Sequence, residues 1–561
     1  MGYTPELKEL IKIVEKTRPE RIRQIKNGHS FTKLTLEERA EVLEKFHPDY
    51  KKTGRIPILV GPNKDDGKVY PEEFVALLHS ESRLQEIEKF EKLIEKPDYE
   101  TDVLVIGAGG AGCSAALTAM LNGQKVIITT KLRMGDANTV MAEGGIQGAT
   151  QEVDSPYYHY LDTIGGGHFT NDPKLVKALV TDAPLVIEWL ESLGMMFDKE
   201  KDGRLKVLKG GGVCRRRMHS SADMTGSEIM RVLRDEVKNN PDKILPIEFA
   251  PAVELILDEE GKCMGAILYH LETKVYSVVY AKSVIIATGG FGRLHVQGFP
   301  TTNHYGATAD GIILAYRAGV RHRFMYSTQY HPTGAVFPEQ NIGLLITEKV
   351  RTLGAEPVNK HGEEFVFPLE PRDVESACII RECIERENGI ATPTGRLGVW
   401  LDSPMIEILR GEGTVKKALE AKYIQFKRYG IDISKEPMLI YPTLHYQNGG
   451  IEIDDWGGTT VPGLYAAGEV AGGIHGENRL MGNSLLDINV FGRRAGKKAS
   501  EYIKSGISLG KPKLDHVKKH HNALKEAGLV TEELSPMFLP DYSNPKVRER
   551  QLTAKRFGTL Q

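Results

Sequence analysis

The stretch DVLVIGAGGAG, residues 102–112, decides the fold. Residues 103–106 are apolar and read as a strand, which runs into Gly107-x-Gly109-x-x-Gly112. The following CSAALTAMLNG reads as a helix. Strand, glycine turn and helix in this order are the context a dinucleotide fingerprint needs. The first glycine permits the tight turn, the second lets backbone approach a pyrophosphate, and the third allows close helix–strand packing. The helix start then offers free N–H groups and a positive dipole end to the phosphates.

Downstream, residues 125–131 (KVIITTK) form a second strand. Thr130 and Lys131 stand where a generic NAD site carries an acidic residue for the ribose. Two later segments repeat the pattern of a strand entering a glycine turn. One is VIIATGG at 284–290. The other is GLYAAGE at 463–469, which also supplies the carboxylate of Glu469. Such late returns after a fingerprint favour FAD over NAD.

Composition agrees with a ligand-approaching backbone. Glycine numbers 58 in 561 residues, about 10% against a typical ~7%, while the 28 prolines are not in excess. The glycines are unevenly placed. Residues 1–100 hold 39 charged residues and five glycines, and the other 53 glycines follow. The first hundred residues therefore read as a separate charged, helical module: Leu7, Leu10, Ile11 and Val14 recur at helical spacing, as do Leu84, Ile87, Phe90 and Ile94. Such a module is either a surface layer on the main body or a docking surface for a partner. Residues 497–561 hold 13 Lys+Arg against 7 Asp+Glu and read as a short basic tail.

Other classes are excluded or disfavoured. Lys+Arg (73) and Asp+Glu (75) balance to a net charge of −2, which argues against a nucleic-acid binder. The five cysteines, 113, 214, 263, 378 and 383, make neither a disulfide framework nor a metal-ligand pattern, so no metal is expected within the chain. No apolar run is long enough to span a membrane and no signal-peptide core opens the sequence, so a cytoplasmic protein is expected. The triplet Arg215-Arg216-Arg217 after Cys214 reads as a solvated face, or as the lining of a cofactor approach or a partner surface.

Six further motifs carry a resemblance. Thr139-Val-Met-Ala-Glu-Gly-Gly-Ile, Gln329-Tyr-His-Pro-Thr-Gly, Thr347-Glu-Lys-Val-Arg351, Pro371-Arg-Asp373, His445-Tyr-Gln-Asn-Gly-Gly450 and His475-Gly-Glu-Asn-Arg-Leu-Met-Gly-Asn-Ser-Leu-Leu486 occur in order. Together they resemble the flavoprotein subunit of succinate dehydrogenase and fumarate reductase, a family that also includes L-aspartate oxidase and, more distantly, adenylylsulfate reductase. The likeness covers roughly residues 101–496.

The resemblance implies an α/β fold with an α+β cap: a Rossmann-like FAD-binding domain (101–324 and 446–496) interrupted by a capping domain (325–445). The helical N-terminal extension (1–100) and the short C-terminal tail (497–561) lie outside the resemblance. It implies FAD held by Gly107, Gly109, Gly110, Ala111 and Gly112 of the fingerprint, by Thr130 and Lys131 after the second strand, and by Asn138, Thr139, Gly144 and Gly145. Later contributions come from Ala287, Thr288 and Gly289, from Asp310, from Gly468 and Glu469, and from Asn483, Ser484 and Leu485.

The implied substrate is a C4 dicarboxylate, fumarate or succinate, in a cleft between the two domains. His331, His445 and Arg479 match the family's carboxylate clamps, with Thr347 as a further donor. A planar arginine fork suits a carboxylate because it binds bidentately. The resemblance implies that a hydride passes between N5 of FAD and one carbon, and that Arg372 handles the proton at the other carbon and is fed through Glu348 and Arg351. Free arginine is a poor acid, so the role requires neighbouring cations that depress its pKa. The implied partners are an iron–sulfur electron-transfer subunit, with a further membrane or soluble donor subunit through which any membrane association would run.

Two departures from the family bear on function. Membrane-bound members carry a histidine that bonds covalently to FAD where this chain has Asn138, so noncovalent FAD is expected, and with it a lean toward fumarate reduction. The region after Gly496 is shorter than is usual in the family, which puts the contacts with an iron–sulfur subunit in question. The alternatives are L-aspartate oxidase, whose substrate would suit the same arginines, and a flavin-binding scaffold, which the presence of Arg372, His445 and Arg479 disfavours.

Overall fold

The computed structural model describes residues 2–529, 531–540 and 542. Strand Tyr99–Ile106 lies near the middle of an eight-stranded sheet, and its last four residues are buried. Val126–Thr129 runs parallel on one side, with Ile244–Ile247 beyond it, and Tyr276–Ile286 runs parallel on the other. A continuous apolar run is what a parallel strand covered on both faces requires.

The eleven-residue strand Tyr276–Ile286 joins two kinds of sheet. Its first half pairs antiparallel with Cys263–Tyr269 and so leads to Ala252–Asp258 and Pro512–Lys513. Its second half pairs parallel with Leu464–Ala466. Register sets Ile106 level with Thr129 and Ile286, and Ile286 level with Ala466. Gly107, Thr130, Ala287 and Ala467 therefore leave the sheet side by side, at the carboxyl ends of parallel strands where α/β proteins place a ligand.

The fingerprint helix Gly110–Leu121 is buried along most of its length and crosses helix Asn483–Lys504 on small residues. A Cβ on Gly492 would stand 2.6 Å from the Ala111 carbonyl oxygen, and one on Gly496 would stand 2.4 Å from that of Ala115. The FGRRAG run at 491–496 is thus explained by backbone approach between two helices.

The cap is a five-stranded sheet. Thr328–Ala335 pairs antiparallel with Met438–Gln447, which pairs with Leu397–Leu401; Pro357–Val358 and Ile390–Ala391 complete it. His331 is opposite Thr443. His445, two residues further on, shares that face by the strand's period of two, and the two imidazole centroids are 5.0 Å apart. Helix Arg372–Ile384 packs on this sheet. Strand Met438–Gln447 passes residue 445, and strand Tyr99–Ile106 starts before residue 101, so the cap boundary that the resemblance implies and the compositional one both fall inside strands.

Residues before 100 lie along the body. Helix Pro5–Lys26 starts on Thr4, whose hydroxyl caps the Leu7 N–H. Its Arg18 and Arg21 reach the cap. Arg18 forks onto Asp402 at 2.8–3.0 Å; Arg21 donates to Asp402 at 2.6 Å and to Glu356 at 3.1 Å. Helix Leu36–Phe46 opens with a Thr35–Glu38 capping box and lies across helix Arg372–Ile384.

The C-terminal segment is also built in. Helix Asn483–Lys504 runs past residue 496, Pro512–Lys513 extends the large sheet, and Leu534–Ser535 pairs parallel with Glu81–Ser82. The part of the basic tail at 543–561 lies outside the described residues.

Asp402 is fully buried beneath two arginines. Removing one partner of a buried pair leaves charge uncompensated, at about 3–5 kcal/mol. Asp402→Ala should therefore lower unfolding stability by about 3 kcal/mol, measured in denaturant. A change below about 1 kcal/mol would show that the N-terminal helix is not held through this contact.

Candidate functional site

A cleft of about 1300 Å³ opens at the strand ends. Gly107, Gly109, Gly110 and Ala111 form one wall, and Thr130, Lys131, Asn138 and Thr139 a second. Ala287, Thr288, Gly289, Asp310, Glu469, Ser484 and Leu485 complete it. The turn is as tight as the fingerprint demands. A Cβ on Gly107 would meet the Ala287 carbonyl oxygen at 2.3 Å, and one on Gly112 would meet the Gly107 carbonyl oxygen at 1.8 Å. Beside Gly289, at φ +75°, nothing stands within 4 Å of an added Cβ. A cleft lined by a glycine turn and a helix start fits a dinucleotide such as FAD.

Several expected cofactor residues sit elsewhere. Gly112 packs against the turn, and Gly468 packs behind it against Ala111 and Ile488. The Asn483 side chain is turned away: Oδ1 bonds His159 Nε2 at 2.9 Å and Nδ2 donates to Thr163 at 3.0 Å. Gly144 and Gly145 line a second, smaller space. Lys131 lines the cleft, yet its Nζ already donates to Asp310 (2.7 Å), Thr308 (2.5 Å) and the Phe538 carbonyl (2.5 Å). Lys131 and Asp310 therefore hold each other in the lining of the cleft.

Asn138 is tethered on three sides. Nδ2 donates to Asn303 Oδ1 at 2.6 Å and to Glu469 Oε2 at 2.9 Å, and Oδ1 accepts the His304 N–H at 2.7 Å. Glu469 also accepts the Gln447 N–H at 3.1 Å. Burial raises the Glu469 pKa, against the pull of these donors.

Adjoining the cleft is a recess of about 370 Å³. It shares His445, Ala142, Leu345, Ser484 and Leu485 with the cleft and adds His331, Thr347, Glu348, Arg372, Arg479 and Glu143. Strands of the cap bring His331 and His445. The chain's return after the cap brings Arg479. The first residue of helix Arg372–Ile384 brings Arg372. Six of the seven expected catalytic residues thus line one recess, and Arg351 stands behind Glu348.

The centre of the recess is strongly cationic. Arg372 Nη1 and Arg479 Nη2 donate to the same atom, Oε1 of Gln329, at 3.0 and 2.8 Å. Gln329 Nε2 in turn donates to Asn478 Oδ1 and to the Arg479 carbonyl, at 3.0 and 2.6 Å. Arg372 Nε donates to Glu348 Oε2 at 3.1 Å, and Glu348 Oε1 accepts the Gly211 N–H at 2.7 Å.

Burial is the main cause that lowers the Arg372 pKa. Glu348 opposes it and Arg351 adds to it, so the crowding cation expected from the sequence is a secondary cause. Burial, then Arg372, pushes Arg479 down to about 9. Burial and the arginines also push His331 and His445 well below the usual imidazole range, so both are neutral. His331 Nδ1 accepts the Thr333 N–H at 3.2 Å, which leaves the ring proton on Nε2.

Three participants carry no clear mark in the sequence. Gln329 lies within one of the six motifs but has no charge to suggest a role. Glu143, beside the two recess glycines, pairs with Lys422 at 2.6 Å, and burial raises it to about 7. Glu375, one helical turn beyond Arg372, binds Arg351.

Arg217 departs from the solvated-face reading. It is 1% exposed and bonds Asp154 and Asp162, while Arg215 stacks over Tyr158 at the surface. Among the described residues no three His, Cys, Asp or Glu side chains are grouped to hold a metal ion. No helix there is long and apolar enough to cross a membrane.

A family model described as an FAD binding domain matches residues 102–485. The chain is 38% identical over 418 residues to a subunit of the fumarate reductase (CoM/CoB) of Methanothermobacter marburgensis, spanning 73% of this chain and 74% of that protein. It is 35% identical over 406 residues to L-aspartate oxidase of Streptomyces coelicolor, spanning 70% and 67%. Among solved structures, a variant of the E. coli quinol fumarate reductase FrdA aligns with a TM-score of 0.70 at 30% identity, covering 82% of this chain and 78% of that one.

Proposed function

The chain is a flavoprotein oxidoreductase of the FAD-binding family of fumarate reductase and succinate dehydrogenase, and on that premise we propose that it reduces fumarate to succinate. The observation that carries this reading is the pair of buried arginines, Arg372 and Arg479, sharing one neutral amide oxygen. Two like charges out of water at one acceptor are a standing call for an anion. A C4 dicarboxylate answers it with two carboxylates and fits beside Thr347 and the neutral imidazoles of His331 and His445, which act as hydrogen-bond partners.

FAD, when bound in the cleft and reduced, supplies the hydride. The chain's own residues supply the proton and exclude water. Arg372 Nε and Nη1 are held by Glu348 and Gln329, and Nη2 has no hydrogen-bond partner among the described residues. Nη2 is thus the nitrogen that gives a proton to the substrate carbon. Its lowered pKa makes this feasible. The vacated Nη2 regains its proton by way of Glu348, whose Oε2 lies 3.1 Å from the Nε–H of the same guanidine, and Arg351, 3.5 Å from that oxygen, resupplies Glu348. Electrons enter through a separate iron–sulfur subunit, which a further donor reduces.

The aspartate-oxidase alternative is less well supported. An α-ammonium group needs a carboxylate: Glu348 is engaged by Arg372 and the Gly211 N–H, and Glu143 pairs with Lys422 through Oε1, which leaves its buried Oε2 as the one oxygen of the two carboxyl groups without a hydrogen-bond partner among the described residues.

The tethered Asn138 supports noncovalent FAD, because its amide cannot form a histidyl-type link. Acid precipitation should release all the flavin to the supernatant, and yellow colour kept by the washed polypeptide would contradict this. In an anaerobic assay with reduced viologen, Arg372→Gln should lose roughly 10²–10⁴-fold in kcat with normal flavin content. A variant as fast as wild type, or rapid aspartate oxidation without fumarate turnover, would overturn the reading.

A further inference from the structure

Arg351, the last member of the relay, has a side chain that is 0% exposed, so it cannot draw protons from water directly. Its Nη1 donates to the Pro368 carbonyl at 2.5 Å and to Glu375 Oε2. Glu375 is likewise 0% exposed, and its second oxygen, Oε1, is buried with no hydrogen-bond partner among the described residues.

Helix Arg372–Ile384 sets this arrangement. Glu375 is three residues after Arg372, one turn along the same face, so one helix presents the arginine at the recess and the glutamate behind Arg351. Glu370, just before this helix, is the next carboxylate. Its Oε1 accepts the Leu34 N–H at 3.0 Å, and its Oε2 pairs with Arg39 at 2.7 Å. Arg39 belongs to helix Leu36–Phe46 and is 27% exposed, so this end of the cluster meets solvent.

A purely structural counter-ion explains Glu375 poorly. Glu348 already faces Arg351, so Glu348 and Glu375 are two carboxyl groups at one buried guanidinium. Burial raises Glu375 to about 8. Arg351 and Arg372 pull it down, while Glu348 and Glu370 push it up. The other titratable group that senses it is Cys378 on its own helix. At neutral pH the carboxyl therefore holds a proton.

We propose that Glu375 is a positioning and proton-storing link that resupplies Arg351, with protons entering along the seam between the N-terminal helices and the cap. The inference rests on the fumarate-reducing reading above. Arg372 gives one proton to the substrate carbon and regains one from Arg351 by way of Glu348. Arg351 takes the Glu375 carboxyl proton, and the Glu375 carboxylate is reprotonated from water through the Glu370–Arg39 seam. One proton leaves solvent, one C–H bond forms, and no electron moves in the relay.

The test compares wild type, Glu375→Gln and Glu375→Asp in viologen-driven fumarate reduction from about pH 6 to 9.5, with flavin content and thermal unfolding measured alongside. A proton donor works below its pKa, so wild-type kcat should fall as pH rises through about 8. Glu375→Gln keeps the hydrogen bond to Arg351 but has no proton to pass on. Its kcat at neutral pH should drop roughly 10- to 100-fold, with the fumarate KM within about twofold and the limb near pH 8 gone. Glu375→Asp should recover part of the rate and show a displaced limb, and it decides the matter if the glutamine variant does not fold. Wild-type kcat with an unchanged limb in either folded variant, or a lower kcat with the limb intact, would overturn the relay alone. Wild type that turns over no fumarate would overturn the functional reading, and the relay with it.

Discussion

Two arginines donate to one amide oxygen. Arg372 belongs to the cap and Arg479 to the chain that returns from it, and Gln329 Oε1 holds both at 2.8–3.0 Å. Their repulsion is only partly relieved, because Glu348, bonded to Arg372, is the only carboxylate among the described residues bonded to either. The geometry lasts only while the cap stays seated on the cofactor domain. The braces follow from this: Gln329 Nε2 ties the cap to residues 478 and 479, and the N-terminal helix pins the cap from outside through Asp402 and Glu356.

Burial is used in two opposite ways within this small volume. It depresses Arg372 and Arg479, the direction that the proposed proton transfer from Arg372 needs. It raises Glu143, Glu375 and Glu469, carboxyls that would be permanently ionised in water. The histidines become neutral for the same reason. Positive charge is thereby concentrated on the arginines, which can fork onto a carboxylate.

Much of this is legible in the sequence because it is local. The fingerprint, its strand and its helix are one contiguous stretch, and the six motifs carry charged residues that mark themselves. The parts that cannot be read are relations between distant segments. Asn483 lies in a motif at the start of a long helix, but its amide faces His159 and Thr163, more than 300 residues earlier. Lys131 follows the second strand as a ribose ligand would, yet a C-terminal carbonyl at Phe538 shares its ammonium. Gln329 opens one of the six motifs, but its role is unmarked because its importance comes from what meets at its oxygen. The composition break near residue 100 is real, but strand pairing and ion pairs cross it, so a compositional boundary is not a boundary of packing.

The central claim is that a charged arginine pair binds a dianion, and calorimetric titration of succinate into the oxidised protein from about pH 7 to 10.5 tests it most directly. Burial, then Arg372, pushes Arg479 down to about 9, so it is charged below that value. Linkage then predicts a dissociation constant that is nearly flat to about pH 9 and rises about tenfold per pH unit above it, while a monocarboxylate of similar length binds far more weakly throughout. A dissociation constant that stays constant across this range, or equal affinity for the monocarboxylate, would contradict the account.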